Sequence, residues 1–133
     1  MKVLVTGGTG LVGSAVRELH PEWTYVSSNT YGSLTEITNV RRMFDMENPD
    51  VVVHLAANVG GLFKNMNKRL EMFEDNVLIN THVLSEAAKR GTSRVISMLS
   101  TCIFPDGLED PLTPDALHKG PPHFSNEGYA YAK

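Results

Sequence analysis

The sequence predicts an α/β fold, a doubly wound parallel sheet of the Rossmann type. Short β-branched runs alternate with helix-like stretches, and a glycine-rich loop joins the first run to the first helix. The runs are almost entirely apolar rather than alternating, as expected of strands that helices cover on both faces. Strands that alternate with helices form a parallel sheet with right-handed crossovers.

The composition fits one globular domain and excludes several other classes. The chain has 133 residues, of which 41% are hydrophobic and 20% charged, so it is neither disordered nor fibrous. The net charge of −3 gives no reason to expect nucleic acid or a membrane as a partner. One cysteine excludes an internal disulfide and a multi-cysteine metal site. The start of the chain lacks a signal-peptide pattern, which makes the cytoplasm the predicted compartment.

The elements are predicted from apolar runs, helical spacing and breaker residues. The predicted strands are Lys2–Thr6, Thr24–Ser27, Asp50–Leu55 and Arg94–Leu99. The predicted helices are Leu11–Leu19, Thr35–Met46 and Leu70–Arg90, the last with an apolar stripe of Phe73, Val77, Val83, Leu84 and Ala87.

The segment Thr101–Gly128 holds five of the seven prolines, so a long irregular loop is predicted there. Glu127–Lys133 has the pattern of the first turns of another helix, without a residue that would end it. We therefore expect residues 1–133 to be an incomplete dinucleotide-binding domain whose sheet continues and whose substrate-binding region is absent. The alternative is a natural four-stranded domain.

The loop Gly7–Gly13 has glycines at positions 7, 10 and 13, directly between a strand and a helix. Gly7 permits a tight turn, Gly10 lets the backbone approach a pyrophosphate, and Gly13 lets the helix pack close to the strand. The N–H groups at the start of the helix then face the phosphates. Glycines alone are a weak signal, but this context predicts a dinucleotide site.

The end of the second strand predicts which dinucleotide binds. An acid there would bind the ribose 2′-OH of NAD, but Tyr25–Thr30 contains hydroxyls and an amide and no acid. These groups suit a 2′-phosphate better and favour NADP(H). Arg41 and Arg42 are candidates for the missing positive charge, although they fit a solvated helix face equally well.

Candidate catalytic groups lie near the end of the chain. Tyr129 and Lys133 share one face of a helix, so the ammonium should lower the phenol pKa and fit it for proton transfer to a carbonyl. Ser100 follows the fourth strand, where ligands bind in parallel sheets. Cys102 could be a general base as a thiolate, or a buried inert thiol. Tyr131 has no lysine four residues on.

Together these motifs resemble the extended short-chain dehydrogenase/reductases, and within them the epimerase/reductases that form GDP-L-fucose. The nucleotide loop and His54–Ala57 are similar to stretches shared across the family. The more discriminating stretches are Val59–Asn65, Leu99–Pro105 and Gly120–Lys133.

The resemblance implies epimerisation of GDP-4-keto-6-deoxymannose at C3 and C5, then reduction at C4 by NADPH, in a cytoplasmic homodimer built from Leu70–Arg90 and the helix near Tyr129. It implies that Cys102 is the base and that Ser100, Tyr129 and Lys133 form the reductase triad. The cofactor-binding residues that it implies are Gly7, Thr9, Gly10, Leu11, Val12, Gly13, Ser28, Leu55, Ala56, Ala57, Tyr129 and Lys133.

The chain departs from the family pattern in two places. Ser33–Glu36 replaces the usual Asp-Leu adenine contact, and the family's general-acid histidine is expected beyond Lys133. His118 and His123 do not match that histidine. The alternatives are another extended reductase that acts on a nucleotide sugar, or an inactive dinucleotide-binding module.

Overall fold

The computed structural model describes residues 1–109 and 111–133. Four parallel strands form one sheet in the order β2-β1-β3-β4, which confirms the predicted fold class. Val5 lies opposite Tyr25 on one side and Val53 on the other. The strands are β1 (Val3–Thr6), β2 (Thr24–Val26), β3 (Val51–His54) and β4 (Arg94–Ser97).

All three predicted helices are present, within two residues of their expected limits, and so is the helix at the end of the chain. The helices are α1 (Leu11–Leu19), α2 (Ser28–Tyr31), α3 (Ile37–Glu47), α4 (Leu62–Asn67), α5 (Arg69–Lys89) and α6 (Glu127–Ala132). The two short helices α2 and α4 were not predicted. The proline-rich segment contains single 3₁₀ turns at Thr101–Ile103, Pro114–Ala116 and Phe124–Asn126.

A hydrophobic core cluster lies where α3 and α5 meet the sheet. Its members share near-complete burial: Leu4, Val26, Val40, Met43, Phe44, Val52, Val83 and Ala87. Burial of such side chains contributes roughly 1.5–3 kcal/mol each. Asn48, in the left-handed conformation with φ of 40°, ends α3 just before Pro49, as predicted.

Two details of the predicted burial are wrong. In α5, Phe73 and Leu84 are 40% and 41% exposed, whereas Val83 and Ala87 are buried as predicted. The buried face also carries Met72, Asn76 and Ile79. The buried face of a helix is determined by the residues that pack against it. In α5 this face includes the polar side chain of Asn76, which a search for apolar periodicity does not detect. β4 is half exposed rather than covered on both faces, and among the described residues it pairs only with β3.

The chain forms two compact units. We call Met1–Ala57 with Leu78–Met98 the sheet unit, and Asn58–Val77 with Leu99–Lys133 the loop unit. The sheet unit holds all four strands. In the loop unit, α4 packs against the turn Phe124–Asn126, and α6 packs against the turn Thr101–Ile103. Within the described ranges, no helix has both the length and the apolar content needed to cross a bilayer.

Candidate active site

The glycine loop of the sheet unit is closed so tightly that an added Cβ would clash at Gly7, Gly8 and Gly13, and at Gly7 and Gly13 the atoms it would meet are backbone. Gly7 has φ of +73°, and a Cβ there would lie 2.8 Å from the backbone nitrogen of Ala56. A Cβ on Gly13 would lie 2.4 Å from the carbonyl oxygen of Gly7. The N–H of Gly10 donates to that same carbonyl at 3.0 Å. The loop therefore needs glycine at both positions to bring α1 against β1.

The outer side of this loop is open. Gly10 precedes α1 and no side chain caps the helix, so its first N–H groups remain available to an anion. Leu11 is 92% exposed and Val12 47% exposed, which places apolar surface beside these donors. An uncapped helix start beside exposed apolar side chains fits the pyrophosphate and the flat rings of a dinucleotide.

A buried polar chain fixes the segment that passes Gly7. The Thr6 hydroxyl lies 2.7 Å from Nδ1 of His54, and the other ring nitrogen lies 3.1 Å from Oδ1 of Asn80. The Ala56 N–H donates to the same Thr6 hydroxyl at 3.2 Å. His54 is thus fully buried and hydrogen-bonded, and it positions Leu55–Ala57 rather than meeting solvent.

The hydroxyls after β2 are partly engaged in local structure. Ser27 and Thr30 form a capping box on α2: the Ser27 hydroxyl accepts from the Asn29 N–H, and the Ser27 N–H donates to Thr30 Oγ1, both at 3.3 Å. Ser28 is exposed. Of the candidates in this stretch, Ser28 and the Asn29 side chain are therefore the ones left to contact a ligand.

The two arginines considered for a 2′-phosphate have other partners. Arg41 pairs with the buried carboxylate of Glu86 at 3.5 Å, and Arg42 donates to a backbone carbonyl at 2.9 Å. A third cation was missed in the sequence. The guanidinium of Arg17 lies 4.8 Å from the ring centre of Tyr25 in β2, close to the glycine loop.

The loop unit brings together three of the predicted catalytic side chains. The Ser100 hydroxyl accepts from the Cys102 N–H at 3.2 Å, which holds the turn Thr101–Ile103, and this turn packs against α6, which carries Tyr129. Cys102 is a free, half-buried thiol. Cys102 and Tyr129 line one cavity of about 310 Å³. The other residues lining it are Val59, Gly60, Leu62, Asn65, Ser125 and Asn126.

The phenol of this cluster is held in its protonated form. Burial raises the pKa of Tyr129, the nearby Cys102 raises it further, and the hydrogen bond with Ser100 lowers it. The expected lowering of this pKa by Lys133 is therefore wrong, since burial and the thiol outweigh any stabilisation of the phenolate. Burial also lowers the pKa of Lys133.

Asparagines hold the backbone around the cavity, and the sequence reasoning missed them. Asn76, fully buried, accepts from the N–H of Asn58 and donates to its carbonyl, both at 2.9 Å. Asn65 donates to the carbonyls of Gly60 and Gly61 at 2.8 and 3.1 Å. The sequence signal that could have identified them is an asparagine within a predicted helix that lies next to an irregular Gly-rich stretch, because such a stretch leaves backbone groups that an amide can pair with.

His123, one of the histidines weighed in the sequence, has a structural role. Its Nδ1 accepts from the Ser125 N–H at 3.2 Å and caps the turn Phe124–Asn126. The Ser125 hydroxyl lies 2.7 Å from the same nitrogen. With that nitrogen occupied by two donors, His123 orders the chain that leads into α6.

Comparison with known proteins places these features in a family. Residues 3–133 match the model of the NAD dependent epimerase/dehydratase family. A probable GDP-L-fucose synthase of Drosophila melanogaster is 49% identical, with 99% of this chain and 43% of that protein covered. The GDP-L-fucose synthase of Dictyostelium discoideum is 44% identical, with coverages of 98% and 43%.

A solved structure is similar over the same range. The GDP-L-fucose synthetase from Naegleria fowleri bound to NADP is 46% identical, with a TM-score of 0.87 over 98% of this chain and 44% of that chain. This chain thus spans less than half the length of the relatives that it matches. These likenesses confirm the resemblance drawn from the motifs. With the family model matching nearly all of its residues, the chain belongs to the NAD dependent epimerase/dehydratase family.

Proposed function

We propose that this chain carries the cofactor-binding and catalytic residues of an enzyme that converts GDP-4-keto-6-deoxymannose to GDP-L-fucose. The names of its relatives support the substrate. The observation that carries the proposal is the cavity lined by Cys102 and Tyr129, with the Ser100 hydroxyl bonded to the Cys102 N–H beside it. A base, a proton donor and a second hydroxyl meet there, as both stages of the reaction require.

In the epimerisation stage, Cys102 is the base. The 4-keto group acidifies the C–H bonds at C3 and C5, so a thiolate can take a proton from each carbon in turn. The negative charge that develops moves to the keto oxygen. The Tyr129 O–H donates a hydrogen bond to that oxygen, and Ser100 supports the phenol. A general acid returns a proton to the opposite face of the carbon and inverts its configuration; the resemblance implies a histidine beyond Lys133 for this role. The Cys102 thiol then loses its proton to solvent before it acts on the second carbon.

In the reduction stage, Tyr129 is the proton donor. Bound NADPH supplies the hydride that C4 receives. As the keto oxygen becomes a hydroxyl, it takes the phenol proton. The raised pKa of Tyr129 keeps that proton in place at neutral pH, and the Ser100 hydroxyl stabilises the phenolate that remains. We assign Lys133 to the nicotinamide ribose, as the motif resemblance implies.

The sheet unit would hold the cofactor. The open helix start and the two excluded side-chain positions at Gly7 and Gly13 support this assignment, and so does the NADP bound in a similar structure. The Arg17 guanidinium adds positive charge near the loop and favours NADPH over NADH. The residues proposed to contact the cofactor are Gly7, Thr9, Gly10, Leu11, Val12, Gly13, Ser28, Leu55, Ala56, Ala57, Tyr129 and Lys133.

We also propose a cytoplasmic homodimer in which α5 is part of the interface. Four apolar side chains of this helix are 40% exposed or more: Leu70, Phe73, Leu78 and Leu84. Exposed apolar residues along one long helix are typical of a surface that another protein covers. Sedimentation of the protein expressed from its complete gene should give a dimer, and a monomer at micromolar concentration would contradict this.

The function is tested with GDP-4-keto-6-deoxymannose and NADPH, using the protein expressed from its complete gene. We expect loss of NADPH absorbance and a product that NMR identifies as GDP-L-fucose, with both C3 and C5 inverted. Reduction without inversion would favour another nucleotide-sugar reductase. No turnover of this substrate would contradict the proposal.

A further inference from the structure

The helix that carries Tyr129 begins against the backbone of another helix in the loop unit. Gly128 lies in the first turn of α6, and a Cβ on it would be 2.3 Å from the carbonyl oxygen of Arg69, the first residue of α5. Real Cβ atoms do not approach an atom within 3.0 Å. A side chain at position 128 therefore fits only if α6 or the start of α5 moves by at least 0.7 Å, from 2.3 to 3.0 Å.

The backbone conformation of Gly128 does not require glycine. Gly128 lies within α6 and is not among the glycines with positive φ, so alanine could adopt the same conformation. In a helix, glycine is also less favourable than alanine. The close approach to the carbonyl of Arg69 is thus the feature of the structure that requires glycine at this position.

The side chain of Arg69 is also tied to the beginning of α6. Its guanidinium pairs with the carboxylate of Glu127 at 2.8 Å, and it lies 6.0 Å from the ring centre of Phe124 in the turn that precedes α6. The two side chains of the ion pair are 45% and 39% exposed, so the pair contributes little to stability. Its effect is on orientation, because it fixes the residue before Gly128 relative to the start of α5.

The start of α5 is connected to a second helix that lines the cavity. A single residue separates α4 from α5, so Arg69 follows closely on the end of α4. α4 contributes Leu62 and Asn65 to the lining of the cavity, α6 contributes Tyr129, and the two helices pack against each other. The contact of Arg69 with α6 therefore bears on the spacing of the two helices that line the cavity.

We propose that Arg69 is a positioning residue for the proton donor Tyr129. Its carbonyl against Gly128 and its guanidinium on Glu127 determine where α6 begins, and so where the phenol lies. The inference rests on the proposed function, in which the Tyr129 phenol gives a proton to the keto oxygen. A displacement of about 1 Å in a reacting group can lower a rate by about 10²-fold. The movement that a Cβ at position 128 demands is close to that size.

The test is a double-mutant cycle between Gly128→Ala and Tyr129→Phe, using the protein expressed from its complete gene. Reduction of saturating GDP-4-keto-6-deoxymannose is followed in single turnovers by the loss of NADPH absorbance. Gly128→Ala should slow reduction by at least about tenfold when the phenol is present. In the Tyr129→Phe background it should slow reduction by less than about twofold, because the group that it misplaces is already absent.

The matched control is Gly61→Ala, which also adds one methyl group to a glycine of the loop unit. A Cβ on Gly61 meets nothing within 4 Å, so this variant should reduce the substrate at the rate of the unaltered protein. An equal loss from Gly128→Ala in both backgrounds is the result of a purely structural role and overturns the inference. An unchanged rate in Gly128→Ala overturns it as well.

The remaining outcomes separate this inference from the proposed function. If the unaltered protein does not reduce the substrate, the proposed function fails and the inference fails with it. If Gly128→Ala does not fold, the ion pair decides. Arg69→Gln should then slow reduction about threefold, with no loss in the Tyr129→Phe background, whereas Arg69→Lys keeps the charge and the rate. An Arg69→Gln protein as fast as the unaltered one overturns the inference alone.

Discussion

In the sheet unit, the buried His54 bonds to the side chains of Thr6 and Asn80, and the surface of the glycine loop is made of backbone. In the loop unit, the amides of Asn65 and Asn76 bond to backbone and support a cavity lined by reactive side chains. The first unit offers a surface made of glycines and helix N–H groups. The second offers a thiol and a phenol.

This difference predicts which kind of substitution should impair each unit. A surface made of backbone is damaged by an added Cβ and is insensitive to most side-chain changes. A cavity made of side chains loses its chemistry when single atoms are removed, while its fold persists. The two units should therefore respond to different substitutions, with cofactor binding and catalysis separable by experiment.

The largest expected effect is loss of the proton donor in the loop unit. Tyr129→Phe removes only the phenol oxygen, so reduction should fall by roughly 10²–10⁴-fold. The affinity for NADPH should change by no more than about fivefold, since a single neutral hydrogen bond contributes about 1 kcal/mol. Stopped-flow turnover and calorimetry measure the two quantities.

The matched control for this change is Tyr131→Phe, two residues away on α6. Tyr131 is 62% exposed and does not line the Cys102 cavity. Its substitution should leave turnover unchanged. Equal losses in the two variants would show that α6 was disturbed and that Tyr129 has no chemical role.

The second effect is on the sheet unit. In Gly13→Ala, the new Cβ would lie 2.4 Å from the Gly7 oxygen, so the loop must open and NADPH affinity should fall by at least about tenfold. Gly61→Ala in the loop unit is the control, because a Cβ there meets nothing within 4 Å. Fluorescence titration with NADPH would contradict the account if both variants bound as tightly as the unaltered protein.

The third effect concerns stability. Glu86 is 4% exposed and pairs with Arg41, Lys89 and Arg90. Burial raises its pKa, but the hydrogen bonds from Lys89 and Arg41 outweigh burial and hold the pKa below its ordinary value. Glu86→Gln should cost about 1–2 kcal/mol at neutral pH, a modest figure because the partner cations are largely exposed.

The role of the Glu86 charge is tested more sharply by measuring how the stability difference between the unaltered protein and Glu86→Gln depends on pH. Because the pKa of Glu86 is lower in the folded protein than in the unfolded chain, the ionised carboxylate stabilises the fold at pH values above the ordinary glutamate pKa. This contribution to the free energy of unfolding is lost as the pH falls through the lowered pKa. The gap between the unaltered protein and Glu86→Gln should thus close on acidification below about pH 4. Denaturant unfolding at several pH values measures it, with exposed Glu74→Gln as the control; a pH-independent gap would refute the assignment.

The smallest effect is a shift in a pH profile. Tyr129 must be protonated to act, so reduction is lost as pH rises through its pKa. The Ser100 hydrogen bond lowers that pKa. In Ser100→Ala the alkaline limb should therefore move to higher pH, while Thr101→Ala leaves it in place. A shift to lower pH would mean that the hydroxyl does not stabilise the phenolate.

The sheet unit was largely predictable from sequence because its structure follows local rules. Apolar β-branched runs mark the strands, and Gly7 and Gly13 mark the turn between β1 and α1. The exceptions are burial details: β4 is half exposed, and the buried face of α5 includes Asn76. An apolar pattern carries no information about a polar side chain whose partners are supplied by a distant backbone.

The loop unit was less predictable for the same reason. Short motifs singled out Ser100, Cys102 and Tyr129, and the structure brings these three together. Asn65 was not singled out, because its partners are carbonyls of a loop that has no sequence periodicity. The direction of the Tyr129 pKa was also wrong, since spacing to Lys133 gives the neighbouring charge but not the burial.

The most direct test of the account asks whether Cys102 moves protons at the sugar. In deuterated water, with substrate but without NADPH, the unaltered protein should exchange the hydrogens at C3 and C5 of GDP-4-keto-6-deoxymannose, as followed by NMR. Cys102→Ser should slow both exchanges by roughly 10²-fold or more while NADPH still binds, because serine is a far weaker base in neutral solution. Exchange at the unaltered rate in Cys102→Ser would contradict the central claim that this thiol is the base.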